Sequence, residues 1–197
     1  MQKAFDVNFC FKGERKYVHG TDICTKLTEM YPDIQKFDIA FHGITTNNMT
    51  FFSKKPDNTD IKVTFKCDNG SQTIKLFGIE NDLPVQCRYE YLEEKIVNSS
   101  IINIPEESIS LQEKTQYTFI EHIVAMNKAL LETLFQNIDG KWYFTRLQLK
   151  EKIEMKKIIS LKLTLTSNFQ FKLTKSTISV NDKEVGFIYF SLIPKES

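Results

Sequence analysis

In the stretch Tyr117-Thr118-Phe119-Ile120-Glu121-His122-Ile123-Val124-Ala125-Met126-Asn127-Lys128-Ala129-Leu130-Leu131-Glu132-Thr133-Leu134-Phe135, apolar residues recur at helical spacing more strongly than anywhere else in the chain. Its opening has the form of a capping box, with Thr118 as cap and Glu121 three residues on. Asn137-Ile138-Asp139-Gly140 stops the helix. Beyond it, Lys141 to Leu149, Ile158 to Thr166, Phe169 to Val180 and Val185 to Ile193 read as strands, with the turn Asn181-Asp182-Lys183 between the last two. Ile109 and Leu111 continue a short apolar alternation ahead of the helix. One helix followed by a mostly antiparallel sheet is expected here.

The amino-terminal half repeats that order. Phe5-Asp6-Val7-Asn8-Phe9-Cys10-Phe11 alternates as a half-buried strand does, and Lys12-Gly13-Glu14 follows as a turn. Thr21 is expected to cap a short helix with Ile23, Leu27 and Met30 on its apolar face, ending before Pro32. Phe37 to Phe41, Met49 to Phe52, Ile61 to Cys67, Thr73 to Phe77 and Val85 to Leu92 read as strands, and a polar loop spans Lys54 to Asp60.

Setting residue i beside residue i+100 aligns the halves without gaps. Lys62/Lys162, Thr64/Thr164, Lys75/Lys175, Asn81/Asn181, Asp82/Asp182, Val85/Val185, Tyr89/Tyr189 and Leu92/Leu192 are identical, where chance gives about two matches over that span. Around the helix starts, Tyr17/Tyr117 and Ile23/Ile123 agree as well, and Phe9/Ile109 and Phe11/Leu111 pair apolar with apolar. The expectation is a duplicated α+β architecture, with repeats at 1–100 and 101–197 forming one pseudo-dimeric unit.

Composition narrows the function classes. The chain has 197 residues, 41% hydrophobic and 26% charged, with a formal net charge of +1, so nothing drives it toward nucleic acid or an anionic membrane. The amino terminus lacks a signal-like apolar run, and no stretch reaches membrane-spanning length, which points to the cytoplasm. Cys10, Cys24, Cys67 and Cys87 form no C-x-x-C pair and are expected as free buried thiols, with no metal site. No phosphate-binding glycine loop, dinucleotide fingerprint, G-x-S-x-G elbow or H-E-x-x-H is present, so no cofactor is expected.

A helix of about four turns can bury its apolar stripe on the concave face of the sheet that follows it. In this order and spacing, Phe119 through Ile193 resembles the hotdog fold. The ending Ile178-Ser179-Val180-Asn181-Asp182-Lys183-Glu184-Val185-Gly186-Phe187-Ile188-Tyr189-Phe190-Ser191-Leu192 is similar to the terminal hairpin of many hotdog proteins. With the first half as a diverged copy, the chain resembles a double hotdog with a long helix in each repeat. The resemblance implies an enzyme of acyl thioesters, carried by coenzyme A or acyl carrier protein, working between the two repeats as a 3-hydroxyacyl dehydratase or hydratase or as a thioesterase. Alternatives are a non-catalytic acyl or carrier-protein binder and a structural β-rich protein of another two-repeat family. A monomer and a homodimer both fit.

Dehydration of a 3-hydroxyacyl thioester needs a base for the proton beside the carbonyl, an acid for the departing water, and donors for the enolate-like oxygen. His19, in Tyr17-Val18-His19-Gly20-Thr21-Asp22, stands at a helix start, where the positive helix end keeps an imidazole unprotonated. Gly20 lets a carbonyl approach the backbone amides, and Asp22 is a nearby carboxylate. His122 lies one turn into the second helix on the face of Met126 and Ala129, facing partly inward. Glu132, on another face of that helix, is a carboxylate that could reach His19. Arg15 is the preferred contact for a carrier phosphate. Each has a bland counterpart: a turn at His19-Gly20, a helix start at Thr21-Asp22, a satisfied core histidine at His122, and solvated charges at Glu132 and Arg15. His42-Gly43 reads equally as a loop. The Gly-His-Phe-Pro segment of bacterial dehydratases and the Asp-rich motif of a thioesterase branch are absent.

Overall fold

The structure, a computed structural model, describes residues 4–194. They fall into two compact units, Met1–Tyr91 and Leu92–Ser197.

The first unit contains strands β1 (Ala4–Val7) and β2 (Cys10–Lys12), helix α1 (Gly20–Met30), and strands β3 (Lys36–Phe41), β4 (Asn47–Phe52), β5 (Val63–Asp68), β6 (Thr73–Pro84) and β7 (Cys87–Tyr89). The opening strand expected over Phe5 to Phe11 is broken in two. Asn48 Oδ1 accepts from the Phe9 N–H at 2.7 Å, which replaces a ladder bond at the break. Gly13 holds a positive φ of 56° as the chain turns out of β2, a conformation glycine adopts at little cost. The main sheet is ordered β1-β4-β6-β5-β3, antiparallel throughout. Alternation along β5 buries Val63, Phe65 and Cys67, which join Ile23, Leu27, Ile39, Met49 and Phe51 in the core.

Helix α1 is only 11 residues long. Its N-cap is His19 rather than Thr21, and the His19 side chain makes no capping bond. Thr28 bonds back to the carbonyls of Cys24 and Thr25, both at 3.0 Å, a pattern that weakens helices. Pro32 then forbids continuation.

The strand expected over Val85 to Leu92 shrinks to β7, which leaves the main sheet and pairs in parallel with β2. A disulfide joins Cys10 to Cys87 across that pair, so these two are not the free thiols expected from their spacing. Cys24 and Cys67 are free and buried.

The second unit comprises α2 (Glu94–Asn98), β8 (Ser100–Asn103), β9 (Ser108–Leu111), α3 (Phe119–Leu134), β10 (Lys141–Leu149), a short 3-10 turn at Met155–Lys157, β11 (Leu161–Phe169), β12 (Leu173–Val180) and β13 (Lys183–Ile193). Its sheet runs β10-β13-β12-β11-β9-β8. Helix α3 is 16 residues long and opens with the capping box Thr118/Glu121. Ile123, Met126, Leu130 and Leu131 of α3 are buried with Leu147, Leu163, Ile178, Ile188 and Phe190 of the strands. Asn181 and Asp182 both take positive φ (51° and 62°), as a two-residue hairpin turn requires. Gly186 is obligatory: a Cβ there would lie 2.1 Å from the Gln148 carbonyl oxygen of the paired strand.

The two sheets are threaded differently. The constant offset of 100 sets β5 beside β11, yet β5 lies next to β3 while β11 lies next to β9. The strand that shares the sheet position of β11 is β4, next to β1. Asn81-Asp82 lies inside β6, whereas Asn181-Asp182 forms a turn. The two units are therefore unequal: a long helix is confined to the second.

Candidate functional site at the start of helix α1

The polar groups around the start of α1 converge on a buried cation. Lys12, the last residue of β2, is 0% exposed. Its Nζ donates to Thr21 Oγ1 at 3.0 Å and to Asp22 Oδ1 at 3.2 Å, and lies 4.1 Å from the centre of the Tyr91 ring. An ammonium so removed from water requires an anionic partner. Asp22 supplies it, with cation–π attraction from Tyr91 in addition. Tyr89, the register partner of Lys12 in β7, donates its hydroxyl to the same Asp22 Oδ1 at 2.8 Å.

Thr21 links this ion pair to His19. Its Oγ1 is 3.0 Å from Lys12 Nζ, 3.2 Å from Asp22 Oδ1 and 2.7 Å from His19 Nδ1. The hydroxyl has one proton. Since Lys12 only donates and ionised Asp22 only accepts, satisfying all three contacts gives that proton to Asp22 and makes His19 Nδ1–H a donor to Thr21. On this assignment from the network, the neutral ring has its lone pair on Nε2, the tautomer a general base needs. The ring is 8% exposed and lies between Tyr17 and Tyr91, each 6.4 Å away between ring centres. Arg15 stacks on Tyr91 with its guanidinium carbon 5.6 Å from the ring centre.

One atom stands out. Asp22 Oδ1 collects donors from Lys12, Tyr89 and Thr21, while Asp22 Oδ2 is buried without a hydrogen-bond partner among the described residues. Leaving a buried acceptor unpaired costs roughly 1–3 kcal/mol, so such an atom suits a donor that arrives from outside the chain. Because Lys12 already balances the carboxylate, a neutral donor such as a hydroxyl or water fits better than a second cation.

Four of the residues singled out from sequence, Arg15, His19, Gly20 and Asp22, thus sit at one helix start. Lys12, Thr21, Tyr89 and Tyr91 were missed as site residues. Lys12 read as part of a turn, and the tyrosines as part of a strand, because nothing in the sequence shows that β2 and β7 pair.

The candidates of the second unit are arranged otherwise. His122 is fully buried, with Nδ1–H donating to the Thr118 carbonyl at 2.8 Å and Nε2 accepting from the Thr115 hydroxyl at 3.0 Å and from the Thr115 N–H at 3.4 Å. Burial pushes its pKa down, against the opposing pull of the Thr118 carbonyl and the Glu121 charge. It clasps the turn before α3. Glu132 lies 3.9 Å from Lys128, which also donates to Glu93 at 3.3 Å. Burial raises the Glu132 pKa, and the Glu93 charge adds to that while Lys128 opposes it. His42 is exposed and bonds Thr64 at 2.9 Å.

Asn127 was also missed. It sits in the middle of α3, fully buried, and neither Nδ2 nor Oδ1 has a hydrogen-bond partner among the described residues. Ser176 Oγ in β12 is in the same condition. The signal for Asn127 was visible as the single polar residue of the run Ile123 to Asn127. No group of three or more His, Cys, Asp or Glu among the described residues is placed to hold a metal ion. No helix among them is long and apolar enough to cross a membrane.

Scans of the sequence against family models and against curated proteins return no match. Solved structures do match. The tesB protein of Mycobacterium avium subspecies paratuberculosis aligns over 97% of this chain and 93% of its own, with a TM-score of 0.51 and 8% identity. The pyran synthase domain from module nine of the sorangicin pathway aligns over 99% and 94%, with a TM-score of 0.51 and 7% identity. At such identities the likeness is one of fold, and the fold is the hotdog.

Proposed function

We propose that this chain is a cytoplasmic acyl-thioester enzyme of the dehydratase or hydratase type, acting on acyl groups carried by coenzyme A or acyl carrier protein, with its reacting groups at the start of α1. The observation that supports this reading is the link through Thr21 of the N-cap His19 to Asp22 in the first turn of the helix, where Oδ2 is a buried acceptor without a hydrogen-bond partner among the described residues. The likeness in fold to the tesB protein and the pyran synthase domain is compatible with it.

In the dehydration direction, His19 Nε2 removes the proton beside the thioester carbonyl. The amides of Gly20 and Thr21, which open the helix ahead of the Asp22 and Ile23 N–H groups already bonded to the His19 carbonyl, receive the oxygen on which negative charge develops. Asp22 Oδ2 accepts a hydrogen bond from the 3-hydroxyl and orients it. The proton now on Nε2 passes to that hydroxyl, which leaves as water with the electrons of the C–O bond, and the ring returns to its starting form. Arg15 would meet a phosphate of the carrier. We also read the chain as a tandem of diverged hotdog-like repeats, each with a strand, a helix and an antiparallel sheet.

Incubation with 3-hydroxyacyl, enoyl and saturated acyl thioesters of several chain lengths tests this, following enoyl absorbance and thiol release. Interconversion of hydroxyacyl and enoyl forms is expected, and His19→Ala should lower kcat/KM at least ~100-fold. Thiol release instead would identify a thioesterase. A second reading, a non-catalytic acyl or carrier binder, is favoured by the low exposure of His19. Bound acyl ligand in native mass spectra without turnover would select it.

A further inference from the structure

We propose that the Cys10–Cys87 disulfide is a redox clasp that keeps the α1 site assembled, so that the thiol state of this pair regulates it. As a statement about activity, this rests on the function proposed above. As a statement about structure, it does not.

The strands β2 and β7 form a sheet of their own, two parallel strands of three residues each. A two-stranded pair is marginal in water, and a parallel one gains least from its ladder. Yet this pair delivers both Lys12 and Tyr89 to Asp22, from register positions two residues beyond the disulfide on each strand. Cys10 faces Cys87, Phe11 faces Arg88 and Lys12 faces Tyr89. Other ties cross the pair as well, with Lys12 Nζ 5.8 Å from the centre of the Tyr89 ring. Arg88 donates to the Gly13 carbonyl and, at 2.9 Å, to the Arg15 carbonyl, and it stacks on Phe11 at 5.3 Å. The Gly13 N–H donates to the Tyr89 carbonyl at 2.9 Å. The covalent bond closes a sequence separation of 77 residues, a long loop whose closure costs the most entropy when the bond is absent.

The bond is open to exchange from outside and protected from within. Cys87 is exposed and Cys10 half-buried. The two remaining thiols are buried: burial pushes Cys24 far up, with the Asp22 charge adding to it, and raises Cys67 to about 11. Neither supplies a thiolate at neutral pH for reshuffling. The thiolate of an external dithiol attacks Cys87 Sγ, and the electron pair of the S–S bond leaves on Cys10 Sγ, which takes a proton. The second thiol of the reagent then closes its own disulfide and releases Cys87 as a thiol. Two electrons pass from reagent to protein. In the cytoplasm, where thiols are ordinarily held reduced, a disulfide so placed is a switch rather than a permanent staple.

The test treats the whole chain with dithiothreitol and follows it by alkylation and by hydrogen exchange, both read by mass spectrometry. Cys10 and Cys87 should take up alkylating reagent in the native protein only after reduction, whereas Cys24 and Cys67 should need unfolding. Reduction should speed exchange at least tenfold in peptides covering 10–22 and 86–91 while strands β3 and β5 stay unchanged, and oxidised glutathione should reverse it. Cys87→Ser should match the reduced wild type, and since wild type alone carries the reversible arm, poor folding of the variant would not remove the test. Equal exchange before and after reduction, or alkylation of Cys10 and Cys87 without it, overturns the clasp. Where thioester turnover is present, it should fall at least tenfold on reduction. Absence of turnover in both states, with exchange still redox-dependent, would sink the enzyme reading and leave the clasp standing.

Discussion

The starts of α1 and α3 both place a histidine next to a threonine, and they use the pair in opposite ways. At α3, Thr118 and Glu121 cap the helix reciprocally, and His122 ties Thr115 to the Thr118 carbonyl. There Thr118, Glu121 and His122 each bond the backbone beside them. At α1 the N-cap His19 makes no capping bond, and Thr21 and Asp22 turn instead toward His19 and the buried Lys12. At α1 the side chains around the helix start thus bond to one another, bringing an imidazole, a carboxylate and an ammonium together around the Thr21 hydroxyl, instead of capping the helix. The contrast distinguishes a histidine that ties the backbone from one that joins a side-chain cluster more sharply than burial could, since both rings are buried.

The harshest way to break this comparison is Asp22→Ala, which strands the Lys12 ammonium. It should cost about 3–5 kcal/mol in denaturant unfolding, and adding Lys12→Met should recover most of the loss. A cost below ~1 kcal/mol would mean that the α1 ion pair does not hold that start together. His122→Ala should cost about 2–3 kcal/mol through its lost hydrogen bonds to Thr118 and Thr115, with no specific effect on turnover. His122 also gives the wild type a pH signature. Its folded pKa lies below the ordinary value, so unfolding lets the ring take a proton. The stability it contributes is fully present above about pH 6.5 and is lost as pH falls through the lower folded value. His122→Gln should flatten that part of the stability profile between pH 7 and 5. Asn127→Leu removes two unpartnered polar atoms and should stabilise by about 1–2 kcal/mol; a simultaneous fall in turnover would add α3 to the reactive groups, and unchanged turnover would leave them at α1. Thr118→Ala should cost about 1 kcal/mol, the ordinary value of a cap, with turnover unchanged. Loss of turnover there would erase the distinction between the two starts.

What the sequence could convey was local. Alternation and helical spacing located α1, α3 and most strands, the Thr118/Glu121 box was read correctly, and His19, Gly20, Asp22 and Arg15 could be grouped as candidates because they are neighbours in the chain. Lys12 and Tyr89 reach Asp22 only through a parallel pairing across 77 residues, which no short-range pattern encodes. The widely spaced cysteines concealed the same pairing. The offset of 100 matched strand-like residues with strand-like residues, but alternation is common to all strands and does not specify which neighbour each will take. That is why residues 100 apart can match in the sequence while β5 and β11 occupy different places in their sheets.

This difference in threading bears on the order in which the chain can fold. In the second unit β11, β12 and β13 follow one another in sequence and in space, so hairpins can zip up as they are synthesised. In the first unit β4 and β5 are successive in the chain but separated by β6, which must insert between them. Until Thr73–Pro84 has emerged, β4 and β5 each present an unpaired edge, and such edges are where newly made chains associate wrongly. The half of the molecule that carries the uncapped helix start is therefore also the half with more non-local pairing to complete, and the slower phase of refolding should belong to it.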